Sequence, residues 1–299
     1  TYTYCPMKYF LTYEKEIPYS DTFATKQGTI IHEVLEEYAK GQNKDWKKNL
    51  INKYFMERPW QLKKDWQDNT KSCGSCPYKT VVELEDLSIN ITCNLTGEDT
   101  RNMLGCPREE THDAEKMIST IINDPNSPIH KKVLDTEKKF SLEIGGKQVN
   151  GFIDLVVEHD ENTIEVVDYK TGKAKSYEEA CNDLQLTIYY AASKQLYPQY
   201  QHCMLTLYFL KHGALTVVFS DEQLRELNKY IPHVYSKIEA ETKPLPLAVM
   251  SNRNYWLCRF CNIEECEKEC KRIHGKDRNW FQDNRNMYFK KFGMEKIII

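Results

Sequence analysis

Gly151-Phe-Ile-Asp154 is followed, one predicted strand later, by Val166-Val-Asp168-Tyr-Lys170-Thr-Gly172. Side chains alternate along a strand, so Asp168 and Lys170, two positions apart, point to the same face. Asp154 and Asp168 fall on successive strands joined by the turn Asp160-Glu-Asn162, so the two carboxylates can meet across the pair. Phosphodiester hydrolysis asks for this chemistry. A divalent cation polarises the phosphate and lowers the pKa of the attacking water, and Mg²⁺ takes hard oxygen ligands. Lys170 then sets an ammonium beside that water, where it orients the nucleophile or stabilises developing charge. Taken alone, Asp-x-Lys also fits an exposed hairpin with a weak surface pair. Its place at the end of an apolar run favours a buried one.

Outward from these strands, Phe140-Ser-Leu-Glu-Ile144 alternates and runs into Gly145-Gly146, a hairpin turn. Strands are predicted over 138–144, 149–157, 164–169, 202–210 and 214–219. On the N-terminal side, Ile31, Val34, Leu35 and Tyr38 repeat at helical spacing and predict a helix over 28–38. A second helical pattern covers 113–134, interrupted by the turn Asp124-Pro125-Asn126. Ser176-Tyr-Glu-Glu179 is a capping box opening a helix that ends before Pro198. Ser220-Asp-Glu-Gln223 opens another, to about Ala240. Helix, three strands, helix, two strands, helix is the order of an α/β domain, a mixed sheet flanked by helices.

The bulk properties set limits. A formal charge of -3 excludes a globally basic nucleic-acid binder, so positive charge must gather on one face. Mean hydropathy is -0.66 and no apolar run approaches 18 residues, which argues against a membrane span. No basic and then apolar stretch of a signal peptide opens the sequence. Eleven cysteines without such a segment point to a reducing intracellular compartment and to metal rather than disulfides. Cys73, Cys76, Cys93 and Cys106 form one group, in a span poor in apolar residues that needs a staple; Zn²⁺ on four thiolates is the natural one. Cys258, Cys261, Cys266 and Cys270 form a second group. The expected division is a helical region at 1–72, a cysteine-rich inserted lobe at 73–110, the core at 111–245 and a cysteine, basic and aromatic region at 246–299. In that last region lysines and arginines outnumber acids from Lys268 to Lys296, with Trp280, Phe281, Tyr288, Phe289 and Phe292 interleaved. This is the composition of a single-strand channel, and equally of an amphipathic helix docked on the core.

The residues now carry a resemblance. Gly28-Thr-Ile-Ile-His32 resembles the Gly-x-x-x-His motif of RecB-like nucleases in the PD-(D/E)XK superfamily. Gly151-Phe-Ile-Asp154, Asp168-Tyr-Lys170 and Gln185-Leu-Thr-Ile-Tyr189 look like the three motifs that follow, in the family's order. The resemblance implies a restriction-endonuclease-like core. It implies that His32, Asp154, Asp168 and the backbone carbonyl of Tyr169 ligate Mg²⁺ or Mn²⁺. Lys170 would be the catalytic lysine, and Gln185 and Tyr189 would support the site and contact the strand. Family members often carry an acid where Glu137 stands. Cys5-Pro-Met-Lys8 resembles the N-terminal segment of the iron–sulfur members, the CRISPR-associated and AddB-type exonucleases. Cys5, Cys258, Cys261 and either Cys266 or Cys270 would then hold a 4Fe–4S cluster; a Zn²⁺ site on the four C-terminal cysteines stays open. The family's usual spacing to the last cysteine is five residues, and here four precede Cys266 and eight precede Cys270.

The expectation is a metal-dependent deoxyribonuclease, an exonuclease on single-stranded DNA or DNA ends. Its partners would be DNA and the proteins of a recombination or CRISPR-type complex. Two rivals stand beside it. A non-catalytic nucleic-acid-binding subunit of the same fold would retain DNA without turnover. A viral-type RNA endonuclease can share the His/Asp/Asp/Lys set, but has no reason to carry the Cys5 and Cys258–Cys261 framework.

Overall fold

Gly145 (φ 57°) and Gly146 (φ 77°) both adopt left-handed backbone, which a tight two-residue hairpin turn requires. Around them run two long antiparallel strands, part of a five-stranded sheet in the computed structural model. The structure describes residues 5–18, 20–57, 59, 79–83, 89–93, 111–246, 258, 261, 263 and 265–284. Strands β1 (Lys79–Glu83) and β2 (Ile89–Cys93) form a small antiparallel ladder. The main sheet takes β3 (Lys132–Ile144), β4 (Lys147–Asp160), β5 (Thr163–Lys170), β6 (His202–Phe209) and β7 (Gly213–Val218) in sequential order. All neighbours are antiparallel except β5 and β6, which run parallel. A parallel pair needs a crossover, and α5 (Tyr177–Cys181) with α6 (Leu184–Leu196) supplies it. This is the mixed sheet flanked by helices that the sequence predicts.

Contacts divide the chain into two units, Thr22–Asn228 and Thr1–Asp21 with Lys229–Ile299. The first holds the sheet, α2 (Phe23–Ala39), α3 (Trp46–Glu57) and α4 (His112–Ile122). The apolar stripe Ile30, Ile31, Val34 and Leu35 of α2 is buried with Leu50 and Tyr54 of α3 and Met117, Ile118 and Ile121 of α4. These close over Leu155, Val157, Val167, Tyr169 and Tyr208 of the sheet. Truncating one such side chain, as in Ile118→Ala, costs about 2–5 kcal/mol.

Several boundaries differ from expectation. α2 begins at Phe23, because Thr22 and Thr25 form a capping box there; Gly28 lies inside the helix. The helical pattern expected through 134 stops at Ile122. Asp124 accepts the amide of Asn126 in a turn and the hydroxyl of Tyr208, and the chain re-enters the sheet at Lys132 after a 3-10 turn, Pro128–His130. The helix expected after Ser176 is two, because Asp183 caps a fresh start by accepting from Leu186 N.

In the second unit, α1 (Pro6–Tyr9) runs on into a π-helical turn, Phe10–Glu14. Met7, Leu11, Ile263 and Phe281 share one buried cluster with Cys5, Cys258, Cys266 and Cys270. α7 (Asp221–Ala240), in which the boundary falls, is followed by α8 (Cys266–His274) and α9 (Arg278–Asp283). Lys268 pairs with Glu265 at the helix's N-cap and Arg272 with Glu269 one turn back, so two of the basic residues of that stretch are held in local ion pairs. Its continuation from 285 to 299 lies outside the described residues, as do Cys73, Cys76 and Cys106. Cys93 is described, buried at the end of β2. No helix among the described residues is long and apolar enough to cross a membrane.

Candidate active site

The β4–β5 ladder ends at Leu155–Val167, one step short of Asp154 and Asp168. Where the next backbone pair would form, Asp154 Oδ2 accepts the amide of Tyr169 at 2.8 Å. The strands therefore part at the two carboxylates. On the other side of β4, the register passes from Thr136–Leu155 to Lys138–Ile153. Glu137 sits between, opposite Asp154, with φ 45°, a left-handed conformation that a glutamate adopts only under constraint.

His32 comes from α2 and completes this group. Its Nε2 lies 3.1 Å from the Tyr169 carbonyl oxygen and its Nδ1 3.5 Å from Asp154 Oδ2. Ligand atoms of His32, Glu137 and Asp154 all lie within 4.8 Å of one another. A cleft of about 690 Å³ opens on His32 and Glu137, lined also by Thr25, Gly28, Thr29, Glu36 and Thr171.

Beside that group, four side chains close a ring. Lys170 Nζ lies 2.5 Å from Asp168 Oδ2 and donates to Gln185 Oε1 at 2.8 Å. Gln185 Nε2 donates to Tyr189 OH at 2.7 Å, and Tyr189 OH donates to Asp168 Oδ1 at 3.4 Å. One turn of α6 places Gln185 and Tyr189 side by side. The Lys170 contact is an ion pair out of line for a hydrogen bond, so Asp168 Oδ2, in a residue 2% exposed, has no aligned donor.

Electrostatics follow from burial. Desolvation, then repulsion from Asp168, pushes Asp154 up to about 7. Desolvation likewise raises Asp168, against the pull of Lys170. Burial raises Glu137, and the charge of Asp154 adds to it. Burial lowers His32, which favours the neutral imidazole. Tyr189 is raised by burial and then by Asp168, and stays a phenol able to donate.

The structure thus brings together His32, Asp154, Asp168, the Tyr169 carbonyl, Lys170, Gln185 and Tyr189. It adds Glu137 to them, and Phe140 behind them. The Phe140 ring lies over Gly151, where a Cβ would stand 2.4 Å from its Cζ. The same ring meets Tyr189 edge-on, centroids 6.0 Å apart. A readable signal for both was in the sequence. Counting back in register from the Gly145–Gly146 turn sets Phe140 against Gly151 and Glu137 against Asp154.

A sequence model of the PD-(D/E)XK nuclease superfamily matches residues 1–67 and 96–266. No curated protein matches the chain. Among solved structures, one from Eubacterium rectale named a "Putative exonuclease" is 11% identical, covering 86% of this chain and 80% of its own, at a TM-score of 0.46. A likeness that slight carries no argument here. The superfamily's model covers well over half of the sequence, including every residue of the carboxylate, histidine and lysine group, and the chain belongs to the PD-(D/E)XK nuclease superfamily.

Proposed function

We propose that the chain is a divalent-metal-dependent DNA nuclease, acting as an exonuclease on single-stranded DNA or DNA ends. The observation that carries this reading is the convergence of His32, Glu137 and Asp154 at the point where β5, carrying Asp168 and Lys170, parts from β4. The donor set suits Mg²⁺ or Mn²⁺, with hard carboxylate oxygens, one imidazole and the Tyr169 carbonyl. Charge balance argues the same way. Buried carboxylates raised by desolvation, and an Asp168 oxygen without an aligned donor, are completed by a cation. His32, Asp154, Asp168 and the Tyr169 carbonyl would hold it, with Glu137 as a further ligand. A cation so held polarises a phosphate and lowers the pKa of water.

The chain's own residues do the rest. Neutral His32 offers a lone pair. Lys170, steered by Gln185, keeps its ammonium beside the charge that develops on the phosphate. Tyr189 orients Asp168, and Phe140 holds Tyr189 in place. The preference for DNA ends rests on the resemblance to iron–sulfur exonucleases. So does a 4Fe–4S cluster on Cys5, Cys258, Cys261 and Cys266, or Cys270 in its place. Supporting it, all five thiols meet in or against one core cluster, and Cys5 Sγ accepts the amide of Lys8 at 3.3 Å. Zn²⁺ on Cys73, Cys76, Cys93 and Cys106 is proposed on spacing alone.

The test is digestion of end-labelled single-stranded DNA, with matched RNA, by anaerobically purified protein in Mg²⁺ or Mn²⁺. Metal-dependent loss of DNA label, abolished in Lys170→Ala and Asp168→Ala, is the expected result. Folded, metal-replete protein that retains DNA uncut leaves the binding-subunit reading, and preferential RNA cleavage leaves the RNA endonuclease. Iron content and visible absorption, lost in Cys5→Ser, test the cluster.

A further inference from the structure

Phe152 is a large aromatic residue left 53% exposed on β4, two positions before Asp154. Two strand residues span about 7 Å, which puts the ring within reach of a nucleotide flanking a phosphate held at Asp154. Across the ladder its partner is Lys139, exposed and, among the described residues, in no ion pair. Its neighbour Lys138 is different, tied to Asp135 at 3.0 Å. The loop after Lys170 adds a second exposed lysine, Lys173, also unpaired among the described residues.

A single exposed aromatic residue is ordinary on a protein surface. Here three observations coincide. The ring stands on a paired strand rather than a loop, it adjoins the candidate centre, and a lysine with no ion pair among the described residues lies opposite it. The exposed positions around it, Ser141, Gln148 and Asn150, are polar. An aromatic face beside free positive charge complements one kind of ligand well, a nucleotide whose base is unpaired and whose phosphate is anionic. In a duplex the base faces are already stacked on one another and must first be opened.

We infer that Phe152 is a stacking platform for an unpaired base beside the scissile phosphate, with Lys139 holding an adjacent phosphate, so that the pair selects single strands for the centre. The inference rests on the nuclease reading above and specifies its substrate.

Cleavage of a single-stranded oligonucleotide and of the same sequence as a blunt duplex is compared in the wild type, Phe152→Ala, Phe152→Tyr and Lys139→Ala. A lost stack raises KM for the single strand roughly fivefold to 150-fold, with kcat little changed. Phe152→Tyr restores KM, and the duplex is indifferent. Removing one base of the strand, as an abasic position scanned along it, weakens the wild type equally at one position and adds nothing to Phe152→Ala. Binding of the same strands by fluorescence anisotropy, with Ca²⁺ in place of Mg²⁺, gives a readout independent of turnover. An equal KM rise for strand and duplex, or additive effects of the abasic position and Phe152→Ala, overturns the platform and leaves the nuclease standing. Wild-type protein that cuts nothing overturns the nuclease, and the anisotropy arm then still decides whether Phe152 reads a base.

Discussion

Glu165 and Asp168 stand on the same strand, 3% and 2% exposed, and the chain treats them in opposite ways. Glu165 is finished. Thr206 donates its hydroxyl to Oε1 at 2.6 Å, Lys131 its ammonium to Oε2 at 2.8 Å, and Thr216 lies 2.8 Å behind Thr206. Asp168 is left short, with a long contact from Tyr189 and an unaligned lysine. Buried carboxylates cost free energy unless their oxygens are paired. The fold meets that cost inside the sheet at Glu165 and leaves it open at Asp168, where the strands part. The incomplete carboxylate is the one to which the proposed function gives a ligand.

The largest expected effect lies on the incomplete side. Lys170→Ala lowers cleavage per folded molecule by about 10²–10³-fold, the usual loss when one donor to developing charge is removed, and lowers the melting temperature of the metal-free protein as well, because buried Asp168 loses its cationic partner. A variant that cuts at the wild-type rate breaks the contrast.

Next comes stability against pH. Asp154 is raised from 3.8 to about 7, so the folded state holds a proton that the unfolded chain releases near pH 4. Without metal, the fold is favoured below that pH and loses the advantage as pH climbs to about 7, by at most about 4 kcal/mol. Asp154→Asn therefore raises the melting temperature of the metal-free protein at pH 8 and removes its stabilisation by Mg²⁺. Thermal scans at pH 5 and pH 8, with and without Mg²⁺, check this. A lower melting temperature for the variant at pH 8 contradicts it.

A smaller effect sharpens the boundary between support and chemistry. Gly151→Ala drives a methyl into the Phe140 ring, costing about 1–3 kcal/mol by overpacking. Because Phe140 leans on Tyr189, cleavage falls as well, even in the folded fraction. Phe140→Leu in the same background relieves the clash and recovers stability more than activity. Smallest is Glu165→Gln, about 1 kcal/mol of stability with cleavage unchanged per folded molecule, measured by urea titration and digestion side by side.

Much of this is legible in the sequence alone. Period-two alternation put Asp168 and Lys170 together, and helical spacing put Gln185 beside Tyr189; both pairs are in one ring. The two glycines at 145 and 146 announced the hairpin. Other features depended on information that local patterns lack. The first half of β3 shows no clean alternation, because its register with β4 shifts between Val133 and Asp135. Glu137 reaches Asp154 through a left-handed residue, which no propensity for glutamate foretells. The gathering of Cys5 with the cysteines beyond 257 came from the resemblance, not from spacing, since contacts across most of a chain leave no periodic trace.

That long-range cluster has a consequence for how the protein is made. Met7 and Leu11 complete their core with Phe281, and synthesis proceeds at about 5–20 residues per second, so the first two wait roughly 15–50 s for the third. By the end of that interval every strand of the sheet unit, Thr22–Asn228, has been made, while the early apolar turn still waits for its partner. The five thiols can meet only once Cys270 has been made. The metal proposed for them would be needed only then, when the residues of the sheet unit have all been synthesised.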